Sequence, residues 1–279
     1  MAYRFEPKRQ YLMPTHFGPM SGPRARPDGS RYPVPDGRMR ETFAISYLSE
    51  KAALETHLPE GFELFGDPAV TVTFTYMTGI DWLAGRGYNM LGVTVPARVR
   101  HKGEWLVGPF LLVLWENLAD PIITGREQLG FNKIWCELPE PIRVGGNATC
   151  FASWLGHTFA RLDVEGLAEA EPSKPAQLPA GHAAASLLHL RYFPKIGALG
   201  QAAVCEPVVS PAASAAGKVL DVRRGTGRLT WAPTRWEDMP TQFHVIEGLR
   251  ALPMLETRSA VYQRIAGGPD HMAQALVEG

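Results

Sequence analysis

The stretch AVTVTFTYM, residues 69–77, is a run of β-branched and aromatic side chains, the composition that suits a pleated, half-buried strand. Similar runs flank it in TFAISYL (42–48), LGVTVPARVRH (91–101) and FLLVLW (110–115), with turn residues between them. HKG (101–103) suits the hairpin turn joining the last two. Further strands are expected at TCFASWL, FARLDVEG, LLHLRYF, GKVLDVRR and GRLTWA, separated by loops such as AEAEPSKPAQLPAGHAAA and PVVSPAASAAG. Helical punctuation is scarce. SEKAALETHLPEGFEL reads as a short helix capped by Ser49 and stopped near Pro59 and Gly61. DPIITGREQLG reads as another, with Asp120 as N-cap, Pro121 at the first helical position and Gly130 just past the end. The tail FHVIEGLRALPMLETRSAVYQRI fits strand and helix equally, and no internal repeat is visible. The expected fold is mainly β (α+β), an antiparallel barrel or sandwich with a few helices rather than a doubly wound sheet.

With 279 residues and 45% hydrophobic content, the chain is long enough for a full core. Lys plus Arg equals Asp plus Glu at 28 each, so no global field favours nucleic acid or an anionic membrane as partner. Three cysteines, Cys136, Cys150 and Cys205, with no C-x-x-C spacing, argue against a disulfide framework and for a reducing cytoplasm. The N-terminus has no apolar signal region, and no run approaches the ~18 residues of a membrane span. The segment PTHFGPMSGPRARPDGSRYPVPDG (14–37) is too rich in Pro and Gly for a regular element, so residues 1–37 read as an extended arm and 38–279 as one domain.

Eight scattered histidines include no H-E-x-x-H or close pair, so no metal is expected. GRGYNMLG and GTGRL match no phosphate-cradling pattern, and no cofactor is expected either. What remains is Lys133 in GREQLGFNKIW (125–135), a lysine inside an apolar run. Strand alternation over FNKIWCEL places Phe131, Lys133 and Trp135 on one face. A lysine amine attacks a carbonyl only when neutral, and bringing such a group from ~10.4 to ~7 requires about 4–5 kcal/mol of destabilisation of the cation. Burial among apolar groups supplies such an effect, and the resulting iminium is an electron sink for decarboxylation, proton abstraction or aldol chemistry. The competing reading is a lysine bridged to Glu127 or Glu137 at a strand edge.

GREQLGFNK resembles the G-R-E-x-x-G-[FY]-P-K segment of the acetoacetate decarboxylase-like superfamily, whose Schiff-base lysine falls at Lys133. RETFAISYLSEKAALETHLPEGFEL resembles the family's opening strand and helix, which places its active-site arginine at Arg40. GYNMLGVTVPARVRHKGEWLVGPFLLVLWENLADPIITGRE follows its next hairpin and helix. The similarity is good over about residues 38–136 and thin afterwards, apart from GTGRLTW. It implies a β-barrel-like cone with flanking helices that assembles into homo-oligomers, and a Schiff-base lyase acting on a small oxo acid.

This chain departs from that pattern. The glutamate two residues after the family's tyrosine, here Tyr88, is replaced by Met90, and Thr75 takes the place of a second glutamate. The proline before the lysine is Asn132 and the second lysine is Ile134. Loss of both glutamates leaves Arg40 without its family partner, so it suits a substrate carboxylate. The resemblance then implies aldolase-dehydratase or hydratase chemistry on a 2-oxo acid such as pyruvate, with an aldehyde co-substrate, over decarboxylation of acetoacetate. A non-catalytic β-barrel that binds a small molecule is the alternative of another class. Arg126, Glu127, Tyr88, Met90, Thr75, Tyr76, Phe131 and Trp135 are candidate pocket residues, and His16, in the arm, a candidate acid or base.

Overall fold

A computed structural model of the chain describes residues 4–23, 25–33, 37–173, 177–212, 217–268 and 273–278. In chain order its elements are β1 (Met39–Leu48), α1 (Lys51–Glu55), β2 (Phe62–Leu64), β3 (Ala69–Thr78), β4 (Tyr88–His101), β5 (Glu104–Glu116), α2 (Ala119–Glu127), β6 (Lys133–Trp135), β7 (Ile142–Val144), β8 (Asn147–Trp154), β9 (His157–Glu169), β10 (His182–Pro194), β11 (Ala202–Pro211), β12 (Lys218–Trp231), α3 (Phe243–Arg250), β13 (Glu256–Thr257), β14 (Ala260–Ala266) and β15 (Ala275–Leu276). The fold is mainly β, as the strand-rich pattern predicts.

All the strands belong to one sheet in the order β15-β11-β10-β5-β4-β3-β1-β14-β12-β9-β8-β7, with β13, β2 and β6 attached to β1, β4 and β5. Neighbours are antiparallel except β5 with β10 and β5 with β6, which are parallel. The β4–β5 hairpin turns at Lys102 and Gly103, both at positive φ (50° and 83°), the geometry of a two-residue turn that matches strand twist.

Alternation sorts the side chains into two faces. Phe43, Ile45 and Tyr47 of β1, Val70, Val72, Phe74 and Tyr76 of β3, and Leu91, Val93 and Val95 of β4 point inward and are buried. The sheet curls so that its two halves meet over this face. Trp115 of β5 packs on Phe159 of β9 and Trp231 of β12, with ring centroids 5.3 and 6.3 Å apart. Its indole Nε1 donates to Gln242 Oε1 at 2.7 Å, which ties α3 to the core.

Several sequence expectations are revised. The first helix begins at Lys51 with Glu50, not Ser49, as N-cap, and is only one turn long. The second starts two residues earlier than its punctuation suggests, with Leu118 as N-cap, while Gly130 does lie beyond its end at φ 76°. PVVSPAASAAG is not all loop: its start belongs to β11, where Pro207 lies within the strand opposite Leu190. GKVLDVRR and GRLTWA are one continuous strand, β12, and the ambiguous tail divides into α3, β13 and β14. In the arm, Thr15–Phe17 form a single 3-10 turn. None of the described helices is long and apolar enough to cross a membrane.

The two faces predict different sensitivities. Phe74→Ala, at a fully buried inward position, should cost about 3–5 kcal/mol, whereas Thr73→Ala, next to it on the outward face, should cost less than about 1 kcal/mol. Urea unfolding followed by tryptophan fluorescence measures both.

Candidate active site

Strand β6 is three residues long and survives because it is pinned at each residue. It extends the β5 edge beyond the point where β10 leaves it, through the parallel pairs Leu114↔Lys133, Trp115↔Ile134 and Glu116↔Trp135. Asn132 Nδ2 donates to the Leu111 carbonyl at 2.9 Å, and Arg126 Nη1 donates to the Lys133 carbonyl at 2.8 Å. Lys133 therefore stands on the outward face of β5, beneath α2.

The lysine is 6% exposed. Its Nζ lies 2.8 Å from Oε1 of Glu116, donates to the Pro121 carbonyl at 3.1 Å, and sits 5.2 Å from the centroid of the Phe131 ring. Lys133 thus faces a carboxylate as well as apolar groups, and its partner is neither Glu127 nor Glu137. Two geometric facts bear on this contact. By distance it is an ion pair, yet neither Glu116 oxygen has an aligned hydrogen-bond donor, although the carboxyl is fully buried. Distance and burial set the electrostatics here; the bent angle means that the pair is not a fully satisfied hydrogen bond. Burial raises the Glu116 carboxyl above the ordinary carboxylate range, and the adjacent ammonium opposes that rise.

Space for the amine comes from Gly125. A Cβ at this position would stand 2.5 Å from Lys133 Nζ and Cδ. Glycine within a helix costs about 0.5–1 kcal/mol relative to alanine, a cost offset here by the room it leaves above the lysine.

His189 of β10 is a second buried titratable group at the same loop. Its Nδ1 lies 2.9 Å from the Gly130 carbonyl and its ring stacks on Phe131 at 4.5 Å. A carbonyl only accepts, so Nδ1 carries the proton; Nε2 is then a bare acceptor, buried and without a hydrogen-bond partner. Burial pushes this imidazole down to about 4, with the Lys133 charge acting in the same direction and the Gly130 bond against it.

Register extends this face across the sheet. Thr42, Thr75, Met90, Glu116 and Trp135 are successive partners over β1, β3, β4, β5 and β6, and Arg40, Met77 and Tyr88 form the adjoining row. Arg40, Thr75, Tyr88 and Met90 therefore share a face with Glu116 and Lys133. Arg40 makes an interaction of its own within the chain. Tyr76 does not join this face. It points inward, 6.2 Å from the Phe43 ring, and burial raises its hydroxyl far above its ordinary value. Arg126 serves the β6 backbone, and Glu127 contributes its carbonyl to Arg191 Nη2 at 3.1 Å. The His16 ring packs on Phe17 within the arm, at 4.5 Å.

On the other side of the lysine loop is a cleft of about 270 Å³ lined by Arg126, Gly130, Phe131, Asn132, Ile134 and Arg191. Phe131 belongs to both the cleft wall and the surroundings of the amine. Asn132, Tyr192 and Val245 also line a larger cleft of about 480 Å³ that contains His57 and His244. No group of three or more His, Cys, Asp or Glu side chains suited to a metal ion occurs among the described residues.

Sequence reasoning missed Glu116, His189 and Gly125. Glu116 ends an apolar strand in LWEN and His189 interrupts one in LLHLRYF, and a charged or titratable group inside an apolar strand was the available signal.

Residues 13–266 match the family model of acetoacetate decarboxylase (ADC), so the chain belongs to the acetoacetate decarboxylase family. Among solved structures it is similar to the acetoacetate decarboxylase of Legionella pneumophila, with 19% identity, 91% of this chain and 92% of that one covered, and a TM-score of 0.63. It is also similar to the enduracididine biosynthesis enzyme MppR complexed with pyruvate, with 18% identity, coverage of 90% and 95%, and a TM-score of 0.59. An acetoacetate decarboxylase-like enzyme from Sphingomonas wittichii RW1 is 18% identical, with coverage of 91% and 97% and a TM-score of 0.56. At these identities the neighbours establish the shared fold. No curated protein matches the sequence.

The depressed His189 imidazole makes acid destabilising. The unfolded state takes up a proton near pH 6.5 and the folded state only near 4, so stability falls as pH drops through that window, by on the order of 3 kcal/mol. His189→Asn, which keeps a donor toward Gly130, should flatten this part of a plot of Tm against pH, while the native protein retains the slope.

Proposed function

We propose that this protein is a Schiff-base-forming lyase that acts on a small oxo acid through Lys133. The observation that carries the reading is a buried primary amine held beside a carboxylate, in a chain of the acetoacetate decarboxylase family, on a sheet face that also presents Arg40. The favoured chemistry is that of an aldolase-dehydratase or hydratase on a 2-oxo acid such as pyruvate. Arg40 supplies a planar guanidinium suited to bidentate recognition of the substrate carboxylate. Met90 and Thr75 leave this part of the face uncharged. The complexes of MppR with pyruvate and with the condensation product of pyruvate and imidazole 4-carboxaldehyde support this reading, as molecules of this kind bound by a related fold.

Chemically, the Lys133 amine condenses with the ketone, and the iminium acidifies the adjacent methyl group. Loss of a methyl proton gives an enamine, whose carbon adds to an aldehyde; elimination of water then gives an unsaturated oxo acid, and hydrolysis releases Lys133. Phe131 over the amine limits access of water to the intermediate.

One observation favours a second reading, decarboxylation of a 3-oxo acid such as acetoacetate. The buried Glu116 anion beside the amine repels a carboxylate placed β to the iminium, and departure of that group as carbon dioxide relieves the repulsion. A cytoplasmic location, supported by the three free cysteines, and a homo-oligomeric state, supported by the family resemblance, accompany both readings.

Borohydride reduction in the presence of pyruvate or acetoacetate is expected to fix the oxo acid on the peptide containing Lys133, and Lys133→Ala should abolish the adduct. Folded protein that gives no adduct with any of a panel of oxo acids would mean a binding module instead. Enone formation from pyruvate plus an aldehyde supports the aldolase-dehydratase; carbon dioxide release from acetoacetate without it supports the decarboxylase.

A further inference from the structure

We infer that Glu116 is a second catalytic residue, the base that frees the Lys133 amine and the acid that expels the carbonyl oxygen as water. This rests on the Schiff-base reading above and adds to it the group that moves the protons. Forming an iminium from an ammonium and a ketone requires two proton removals from nitrogen and two proton deliveries to oxygen. The removals need a base in contact with Nζ and the deliveries an acid within reach of the oxygen bonded next to it, in a site that is 6% exposed at the lysine.

Only some of the groups around the amine can carry protons. The Pro121 carbonyl accepts a hydrogen bond from Nζ but is not a base at ordinary pH, and Phe131 is apolar. Arg126 on α2 is turned to the Lys133 carbonyl, and a guanidinium only donates. His189 on β10 holds its Nδ1 proton against Gly130, and its bare Nε2 makes no hydrogen bond to Nζ. Arg40 and Tyr88 stand on more distant strands of the same face. Glu116 Oε1, by contrast, is 2.8 Å from Nζ, and its second oxygen is buried without a donor. A carboxylate in water or in a satisfied salt bridge would have its lone pairs occupied. This one keeps them available, and burial raises the Glu116 carboxyl above the ordinary carboxylate range, which suits it to hold a proton as well as to take one.

The steps balance. Glu116 takes a proton from the Lys133 ammonium, and the free amine's lone pair forms the C–N bond while the carbonyl π electrons move to oxygen. The Glu116 carboxyl protonates that oxygen, then as carboxylate removes a second proton from nitrogen. It returns this proton to the hydroxyl group, the C–O bond breaks, and water leaves as the nitrogen lone pair forms the iminium. Ammonium and ketone have become iminium and water, and Glu116 is a carboxylate again.

Gly125 belongs to the same device as a positioning residue, since any side chain there would push Nζ off Glu116. Because the atoms met are Cδ, Cε and Nζ of the lysine side chain and not backbone, Gly125→Ala should displace the amine and leave the path of α2 in place.

The test follows the rate of borohydride trapping with pyruvate, at several pH values, in the native protein, Glu116→Gln, Glu116→Asp and Gly125→Ala, with circular dichroism to confirm folding. Expected are at least a tenfold loss of trapping rate at neutral pH in Glu116→Gln and partial recovery in Glu116→Asp. The Gln variant should also show a rate that climbs steadily with pH, because solvent hydroxide must replace the lost base. Gly125→Ala should be slowed as well, which keeps the inference testable if the Gln variant does not fold. Trapping as fast as native, or faster, in Glu116→Gln and Gly125→Ala would overturn the inference, because a purely structural carboxylate stabilises the cation and its removal would release the amine. If the native protein itself forms no adduct, the Schiff-base reading fails first and takes this inference with it.

Discussion

The structure depends on a buried contact between opposite charges, Lys133 with Glu116, made across the parallel pairing of β5 and β6. Removing one partner from such a pair leaves an uncompensated buried group, typically at a cost of about 3–5 kcal/mol, so both partners constrain their surroundings. Several otherwise odd features follow from it. Strand β6 has three residues, yet Asn132, Lys133 and Arg126 fasten it at successive positions. Helix α2 carries a glycine where alanine would be a better helix former, because the lysine needs the volume. The α2 carbonyl of Pro121 is turned to account as an acceptor for the ammonium.

The curled sheet makes this contact possible. Its inward face is closed by Trp115, Phe159 and Trp231, so the outward face at the end of β5 is free to carry polar groups without disturbing the core. Trp115 and Glu116 are neighbours in sequence and opposite in role: one is the centre of the core, the other the buried acid of the candidate site. The period of two in a strand is what allows both.

Much of this was legible in the sequence, and what was not has identifiable causes. Local composition reveals β1, β3, β4 and β5, and alternation places Lys133 and Trp135 on one face, because both signals lie within a few residues. The partner of Lys133 was not legible, since the β5–β6 register that brings Glu116 to it arises from tertiary pairing across α2. His189 was passed over because the histidines were judged by metal-ligand spacing, whereas its significance lies in its burial within an apolar strand. Tyr76 was misplaced for a simpler reason: adjacent to Thr75 on β3, it cannot share Thr75's face, and strict alternation would have excluded it. Strand β11 was obscured by its prolines and alanines, which sit in a strand paired on one side with β10 and only briefly with β15 on the other.

Membership in the acetoacetate decarboxylase family establishes the fold and leaves the reaction to the site's own residues. The account stands on the Lys133 nitrogen replacing the carbonyl oxygen of an oxo acid. The most direct measurement is the loss of ¹⁸O from keto-labelled pyruvate in ordinary water, followed by mass spectrometry. Reversible iminium formation predicts that the native protein accelerates this loss well above the spontaneous rate and that Lys133→Ala does not. Exchange at the spontaneous rate with native, folded protein would contradict the account.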